Sequence, residues 1–424
     1  GRSPSANRST FAPPVGGLFF PLTAAIGVEV DCPFTVGMLK KVVHAAVRSS
    51  SFAAAADDLT ALAETDVTAK RIERWAERVG TERVAQASQQ AEAYQALPLP
   101  ERRKSPGDQV PQVACVMMDG GRIQVRDRRE EHHDVSGYWK ESLVGCCLSM
   151  VAAEHAADPC PTIPKTFVDP RRMRDLSREI KGFSGICDET TDTPPDAPED
   201  RAGRPEVLVR SVVATRAGHD AFGERLVAEA HARGFHAARR KAFVADGGAS
   251  NWSVHKKHFS HYTPVLDFTH AICYVYAAAL AGRSSPDGWR DYVAWAQWAW
   301  EGATDKLIAV VKARSQQLGS PQAGDETSPA AIVARTLGYL NNQRARMNYA
   351  EYRRLGLPIT SSHIESTIKR INRRVQGTEK FWHRGAEPIL QLAADHLSET
   401  TPLRRFWKQR PARLHPCRRY QTAA

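Results

Sequence analysis

The sequence lacks the features that mark membrane-spanning, secreted and zinc-binding chains. No run approaches the roughly 18 uncharged apolar residues that a transmembrane helix requires. The early apolar stretch GGLFFPLTAAIGVEV is too short and wrongly flanked for a signal peptide. The eight cysteines form no CxxC pair and no tight Cys/His cluster, which argues against structural zinc. We therefore expect a cytoplasmic chain without a membrane partner, whose cysteines stay reduced.

What the chain has in excess is positive charge. It carries a formal net charge of +11 over 424 residues, and its isoelectric point is near 9.3. Such a balance indicates a polyanionic partner, most often nucleic acid. The length suffices for two or three domains, because single hydrophobic cores stop growing at about 250–300 residues.

Apolar residues recur at helical spacing in three stretches between residues 36 and 80, which predicts three helices. Thr68 is placed to cap the third helix and Gly80 to end it. The short joint AETDV before that helix is typical of a helix-turn-helix. The third helix would expose four basic residues: Lys70, Arg71, Arg74 and Arg78. A DNA-reading helix and a small bundle with a solvated face fit equally, because Glu73 and Glu77 dilute the basic face.

After the polar linker LPLPERRKSPGDQVPQ the pattern changes to strands. VACVMMD is a continuous apolar run typical of a buried strand, Gly120-Gly121 is predicted to turn the chain into the strand RIQVR, and SLVGCCLSMV fits a third strand. The Pro-rich acidic segment 183–206 is expected to form a loop. A helix ending at Gly234 then leads into the strand KAFVADGG, and the strand in YTPVLDFTH ends at Asp267.

The chain from 271 to 352 shows only helical patterns and crowds four tryptophans into one element, which predicts an inserted all-helical domain. Two further helices, SSHIESTIKRINRRV and HRGAEPILQLAADHL, follow the insertion. The chain closes on a tail with seven basic residues and no acid: Arg404, Arg405, Lys408, Arg410, Arg413, Arg418 and Arg419.

Three carboxylates share one placement in these elements. Asp119 ends the first strand, Asp246 ends a later strand, and Glu365 opens a helix after the insertion. Sites in open α/β sheets gather where strands finish and helices begin, so the three acids can converge. Converging carboxylates repel one another unless a cation lies between them, and oxygen ligands suit Mg²⁺ or Mn²⁺. Two such ions about 3.5–4 Å apart can activate the attacking oxygen and stabilise the leaving oxygen in phosphodiester cleavage.

Each acid also has an ordinary structural interpretation. Asp119 and Asp246 precede glycines and fit turns, and Glu365 together with Ser362 fits a capping box. The catalytic interpretation is favoured by the three acids jointly, in a basic chain with a candidate DNA-reading helix. The helix would place Glu365 on the ions and its basic face on the DNA backbone. That face carries Lys369, Arg370, Arg373 and Arg374.

Four motifs together resemble the DDE transposases of bacterial insertion sequences, specifically the Kra-type group. They are VMMDGGRIQVR around Asp119, VADGGASNW around Asp246, LDFTHAICYVYAAA with Asp267-x-x-His270, and SSHIESTIKRINRRVQGTEKFWHRGAEPILQL around Glu365. The resemblance extends from about residue 30 to 407. It implies an α/β chain with an RNase H-like mixed sheet and flanking helices, interrupted by an all-α insertion and preceded by a helix-turn-helix-like region.

The resemblance also implies a chemistry. Metal-activated water would cleave the transposon ends, and the freed 3′-hydroxyl would then attack target DNA. Asp119, Asp246 and Glu365 would be the catalytic triad and the ligands of two Mg²⁺ or Mn²⁺ ions. Asp267 and His270 are candidate supporting residues, although a histidine beside an apolar helix is more often a buried core residue. Trp382 is a candidate for stacking on a base, with buried helix packing as the alternative.

Five consecutive segments are expected. They are the helical DNA-binding region and linker (1–105), the first part of the core (106–270), the helical insertion (271–355), the second part of the core (356–400) and the basic tail (401–424). The expected partner is double-stranded DNA, bound in the nucleoid by a homodimer or higher oligomer. Two other functions stay open: a metal-dependent nuclease without strand transfer, and a domesticated DNA-binding protein that no longer cleaves.

Overall fold

The computed structural model describes residues 10–11, 18–19, 32, 34–107, 109–126, 139–181, 204–376 and 381–414. The chain divides into two compact units, each assembled from segments that are distant in sequence. The terminal unit takes in 1–88, 122–141 and 369–424, and the central unit takes in 89–121 and 142–368. The five consecutive domains expected from the sequence stay a prediction.

The described elements are labelled in chain order. The helices are α1 (Val36–Arg48), α2 (Phe52–Ala63), α3 (Ala69–Ala96), α4 (Leu99–Arg102), α5 (Pro170–Lys181), α6 (Gly218–Ala232), α7 (Ala249–His258), α8 (Phe268–Leu280), α9 (Ser285–Trp300), α10 (Thr304–Leu318), α11 (Pro329–Gln343), α12 (Tyr349–Arg354), α13 (Ser362–Val375), α14 (His383–Leu397) and α15 (Pro402–Leu414). The strands are β1 (Thr10–Phe11), β2 (Leu18–Phe19), β3 (Val113–Arg126), β4 (Trp139–Val151), β5 (Glu206–Thr215), β6 (Arg240–Ala245), β7 (Thr263–Leu266) and β8 (Phe381–Trp382). Short 3-10 turns lie at Lys165–Phe167, Phe235–Ala237 and Arg344–Arg346.

The three predicted helices after residue 35 are confirmed, but the third is longer than expected. The backbone oxygen of Thr68 accepts the amide of Ile72 at 3.1 Å, so Thr68 does precede α3 as its cap. The predicted end at Gly80 is wrong, because α3 continues to Ala96. A Cβ at Gly80 would lie 2.5 Å from the backbone oxygen of Pro388 in α14. The glycine therefore allows two helices to approach closely, which is a known use of glycine inside a helix.

Two ion pairs hold the part of α3 that lies beyond Gly80 within the terminal unit. The guanidinium of Arg83 donates to both carboxylate oxygens of Asp395, at 2.7 and 3.1 Å, and both side chains are buried. Arg410 of α15 pairs in the same way with Glu82. The predicted linker after α3 is also partly ordered, because it contains the short helix α4.

The central sheet is mixed. Its order is β5-β4-β3-β6-β7, and β8 pairs with β3 outside that path. β4 and β5 are antiparallel, whereas β3 with β6 and β6 with β7 are parallel. Helices and a mixed sheet make the chain an α/β protein. The N-terminal part of β3 lies within the hydrophobic core, since every residue from Val113 to Met118 is fully buried.

Two predictions about the first strands are wrong. β3 runs without a turn through Gly120-Gly121, so VACVMMD and RIQVR belong to one strand of 14 residues. Asp119 consequently lies inside β3 and not at its end. The strand β5 was missed, because EVLVRSVVAT adjoins the segment 183–206 that was expected to be a loop. Residues 182–203 lie outside the described part of the chain, and Glu206 already belongs to β5.

The later elements agree with their sequence patterns. SLVGCCLSMV lies in β4, KAFVA in β6 and TPVL in β7, and the helix before Gly234 is α6. The regular elements between residues 268 and 354 are helices and one 3-10 turn, and α9 carries Trp289, Trp295, Trp298 and Trp300. Buried free thiols in β3 and β4 pack as small core side chains. Among the residues that the structure describes, no helix combines the length and apolar character of a membrane span.

Candidate metal and nucleic-acid site

Asp119 in β3 and Asp246 directly after β6 occupy equivalent positions along two neighbouring parallel strands. The register pairs Met117 of β3 with Val244 of β6, and each acid lies two residues after its member of that pair. Side chains two residues apart in a strand point to the same face. The sheet thus brings together two acids that are separated by most of a domain in sequence.

The loop after β6 orients Asp246. Its Oδ1 accepts the amide of Gly248 at 2.9 Å and the side-chain amide of Asn251 at 2.6 Å. Its Oδ2 accepts no hydrogen bond from the described residues. The side-chain amide of Gln343 donates to the backbone oxygen of Gly247 at 3.2 Å, which fixes the loop against the end of α11. Asp246 therefore presents one oxygen that remains available for a ligand.

Glu365 lies in the first turn of α13. The amide of Glu365 donates to the backbone oxygen of Ser361 at 3.1 Å, so the helix begins directly after Ser361. The hydroxyl of Ser361 also donates to Oε1 of Glu365 at 3.0 Å. The predicted capping box with Ser362 is wrong, because Ser362 is already helical and the bonded hydroxyl belongs to its neighbour. The hydroxyl of Ser361 thus orients the carboxylate of Glu365.

Asp267 links three parts of the central unit. It follows β7, caps α8, and its side chain is fully buried at 0% exposure. Its Oδ1 accepts the amide of Ser361 at 2.7 Å. Its Oδ2 accepts the amide and Nδ1 of His270, at 2.8 and 2.6 Å. Because Ser361 in turn bonds Glu365, Asp267 sets the position of the acid at the head of α13.

Electrostatics place the acids and His270 in one neighbourhood. Burial raises the pKa of Asp119 to about 6, and the charge of Asp246 adds to this rise. Glu365 also raises the pKa of Asp119, whereas the Gly120 amide and His270 lower it. Burial alone would lower the pKa of His270, but its hydrogen bond to Asp267 and the nearby acids outweigh burial and raise it. The neighbouring acids thus destabilise the charged form of Asp119, as expected at a cation site.

The ligand atoms that converge most closely belong to Asp267, His270 and Glu365. One such atom of each lies within 4.8 Å of the others, and this is the group of metal-binding type found among the described residues. Both oxygens of Asp267 already accept N–H donors, which suits a carboxylate that orients a ligand more than a ligand itself. Asp267 and His270, first considered as supporting residues, thus join the site through the Asp-x-x-His spacing at a strand-to-helix junction.

The four basic residues predicted on the DNA-reading helix are all exposed on α3. Lys70 pairs with Glu73 at 2.7 Å. Arg71 lies over the ring of Phe34, 5.3 Å from its centroid. Arg74 and Arg78 are also exposed, and Arg78 lies 4.9 Å from the ring centroid of Trp75 in the same helix. These exposed side chains can contact a phosphate backbone, although Lys70 is already paired with Glu73.

The basic face of α13 is only partly available. Lys369, Arg370 and Arg373 are exposed. Arg374 is 3% exposed, donates through Nε to the backbone oxygen of Ala46 at 2.6 Å, and lies over the ring of Phe52. The prediction that Arg374 contacts DNA is therefore wrong. Its guanidinium is committed to packing within the terminal unit.

The C-terminal tail and Trp382 also differ from their sequence interpretation. The tail contains α15, and Arg410 is 2% exposed in its pair with Glu82, so Arg410 is structural. Arg404, Arg405 and Lys408 are exposed, and residues 415–424 lie outside the described part. Trp382 is 36% exposed, which contradicts the buried-packing alternative.

Comparison with known proteins adds no assignment. No family model matches the chain, and a search of curated proteins found no match. A functional assignment therefore depends on the residues and geometry described above.

Proposed function

We propose that the chain is a DDE-type transposase, which cleaves transposon ends and joins the resulting 3′-hydroxyl to target DNA. The observation that carries this proposal is the placement of Asp119 in β3 and of Asp246 directly after the adjacent parallel strand β6, with Glu365 close enough to raise the pKa of Asp119. Three distant segments thereby contribute carboxylates whose charges act on one another at Asp119.

The element order supports an RNase H-like core as part of the proposal. In the central sheet β3 and β4 come first, and α5 precedes β5. The parallel strands β6 and β7 each lead into a helix, and α13 carries the last acid. Residues 268–354, between the second and third acids, are helical and fit the expected insertion.

The donor set fits a hard divalent cation. Asp246 keeps one oxygen without a hydrogen bond from the described residues, and the charges of Asp246 and Glu365 raise the pKa of Asp119. Asp119, Asp246 and Glu365 would hold Mg²⁺ or Mn²⁺. Bound ions would activate the attacking oxygen and stabilise the leaving oxygen.

The remaining residues of the site hold the acidic side chains in position. Asn251 and Gly248 fix Asp246, and Ser361 fixes Glu365. His270 is held by Asp267 through Nδ1, so its Nε2 is the ring nitrogen left to face substrate or ligand. The exposed basic residues of α3 and α13 would bind the DNA backbone, in keeping with the net charge of +11.

The products of one assay test the proposal and separate its alternatives. The chain is incubated in Mg²⁺ with end-labelled DNA from the flanks of its gene and with a supercoiled target plasmid. We expect cuts at terminal inverted repeats and labelled ends joined to the plasmid. Cutting without joined products would favour a nuclease, and binding without any cutting would favour a domesticated DNA-binding protein; either result would contradict the transposase.

A further inference from the structure

Arg346 is a partly buried arginine that is fixed in place. It ends the 3-10 turn Arg344–Arg346, and its guanidinium lies over the ring of Trp252, 4.2 Å from the centroid. Trp252 is only 8% exposed, so the packing around its ring holds the ring in place under the guanidinium. Nη1 of Arg346 donates to Oε1 of Gln343 at 2.7 Å and to the backbone oxygen of Asn342 at 3.2 Å.

The charge of Arg346 has no acidic partner among the described residues. Arg344, two residues earlier in the same turn, pairs with Asp305. Burial meanwhile lowers the pKa of Arg346, since it disfavours the charged form. Partly buried charges are usually paired. A guanidinium that is held in place without an acidic partner indicates that a bound ligand supplies the anion.

The remaining donors of Arg346 match a phosphate. A guanidinium has five N–H donors in a rigid fork. Both hydrogen bonds to Gln343 and Asn342 come from Nη1, so Nε and Nη2 make none to the described residues. Nε and Nη2 together form one edge of the fork, which can donate two parallel bonds to the oxygens of one phosphate.

Trp252, which lies under Arg346, belongs to the same segment as the loop that orients Asp246. Gln343, which holds Arg346, also donates to the backbone oxygen of Gly247, the residue after Asp246. Trp252 follows Asn251, which donates to the carboxylate of Asp246. Segment 246–252 therefore fixes both the acid and the arginine within the central unit.

We infer that Arg346 binds a backbone phosphate of the DNA strand beside the phosphodiester on which the acids act. This inference rests on the proposed function and adds a specific substrate contact to it. Gln343 and Trp252 position the guanidinium before DNA arrives, so little side-chain freedom is lost on binding.

Binding of a labelled DNA duplex in Ca²⁺, which allows affinity to be measured apart from cleavage, tests the contact. We expect Arg346→Ala to weaken binding about tenfold to a hundredfold, as for loss of a charged hydrogen bond. Arg346→Lys should fall between Arg346→Ala and the parent, because it keeps the charge and loses the fork. The matched control Arg344→Ala removes an exposed arginine of the same turn and should change affinity less than about twofold.

Single neutral methylphosphonates in the DNA give a sharper readout. In the parent, one or two substitutions next to the cut site should weaken binding about tenfold, and the same substitutions should have no effect on Arg346→Ala. Thermal unfolding checks that each variant is folded, and Arg346→Gln replaces Arg346→Ala if the latter is not. If each methylphosphonate weakens DNA binding equally in the parent and in Arg346→Ala, the inference is overturned. If the parent cuts DNA but Arg346→Ala binds and cuts equally well, only this inference fails; if the parent binds no DNA, the proposed function fails with it.

Discussion

At the scale of single residues, Asp267 contributes more to the site than its sequence neighbourhood indicates. The Asp-x-x-His spacing marks it as a candidate, but the spacing does not reveal the bond from Ser361, which lies 94 residues further along. Only the fold brings those two residues together. The side chain of Asp267 fixes both His270 and, through Ser361, Glu365.

Replacing Asp267 with Asn tests this positioning role. The amide can still accept from one donor, but its NH₂ group would face the N–H donors of His270. We expect Asp267→Asn to lose about 1–3 kcal/mol of stability and to bind Mn²⁺ about 10- to 100-fold more weakly by calorimetry. The control Asp305→Asn removes an exposed acid of the central unit, and it should leave Mn²⁺ binding unchanged. Parent-like Mn²⁺ affinity in Asp267→Asn would show that Asp267 does not position the site.

At the scale of elements, the sequence predicted which segments are helices and strands better than it predicted where they end. Helical spacing identified α1, α2 and α14, and apolar runs identified β4, β6 and β7. The local pattern predicts breaks at Gly80 and Gly120-Gly121, yet α3 and β3 continue through them. Glycine has the same local signal whether it ends an element or allows close packing, so the distinction depends on a tertiary neighbour such as Pro388.

Two glycine-to-alanine substitutions should change stability in opposite directions. Alanine in a helix interior is normally favoured over glycine by about 0.5–1 kcal/mol. Gly338 in α11 has no atom within 4 Å of an added Cβ, so Gly338→Ala should be stabilising. Gly80→Ala should instead be destabilising by about 1–3 kcal/mol, because the methyl group meets the backbone of Pro388. Urea unfolding measures both, and a stabilised Gly80→Ala would refute the close contact between α3 and α14.

At the scale of the whole molecule, composition predicted a basic α/β chain, but not which basic residues face solvent. Arg374 and Arg410 belong to the same runs as Arg373 and Lys408, yet they are buried against aromatic rings or an acid. Net charge cannot tell a packed guanidinium from an exposed one. The gathering of Asp119 and Asp246 was predictable from their positions at the ends of apolar runs, whereas the network around Asp267 was not.

Buried histidines give the molecule a pH dependence of known sign. Burial lowers the pKa of His236 to about 3, and that of His258 and of His396 to about 4. Unfolding exposes these rings, which then bind protons near pH 6.5. Between pH 6.5 and about 4 the unfolded state binds more protons at these positions, so their contribution to stability is present above pH 6.5 and is lost on acidification. Asp119 and His270, whose pKa values are raised, act in the opposite direction.

We expect the urea midpoint of the chain to fall as pH is lowered from 6.5 to 4.5, because the lowered histidine pKa values outnumber the raised ones. His236→Asn should reduce the pH dependence of the unfolding free energy by up to about 1.4 kcal/mol per pH unit. A parent that gains stability on acidification in this range would contradict the assignment.

The central claim is that Glu365 is a metal ligand and not a structural residue of α13. It is tested most directly by Mg²⁺-dependent cleavage of flanking DNA with Glu365→Gln. Glutamine keeps an oxygen for the Ser361 hydroxyl and the same length, so we expect parent-like thermal unfolding and DNA binding. Cleavage should fall by at least about a hundredfold, since an amide is a poor substitute for a charged ligand. Cleavage by Glu365→Gln at the rate of the parent would contradict the account.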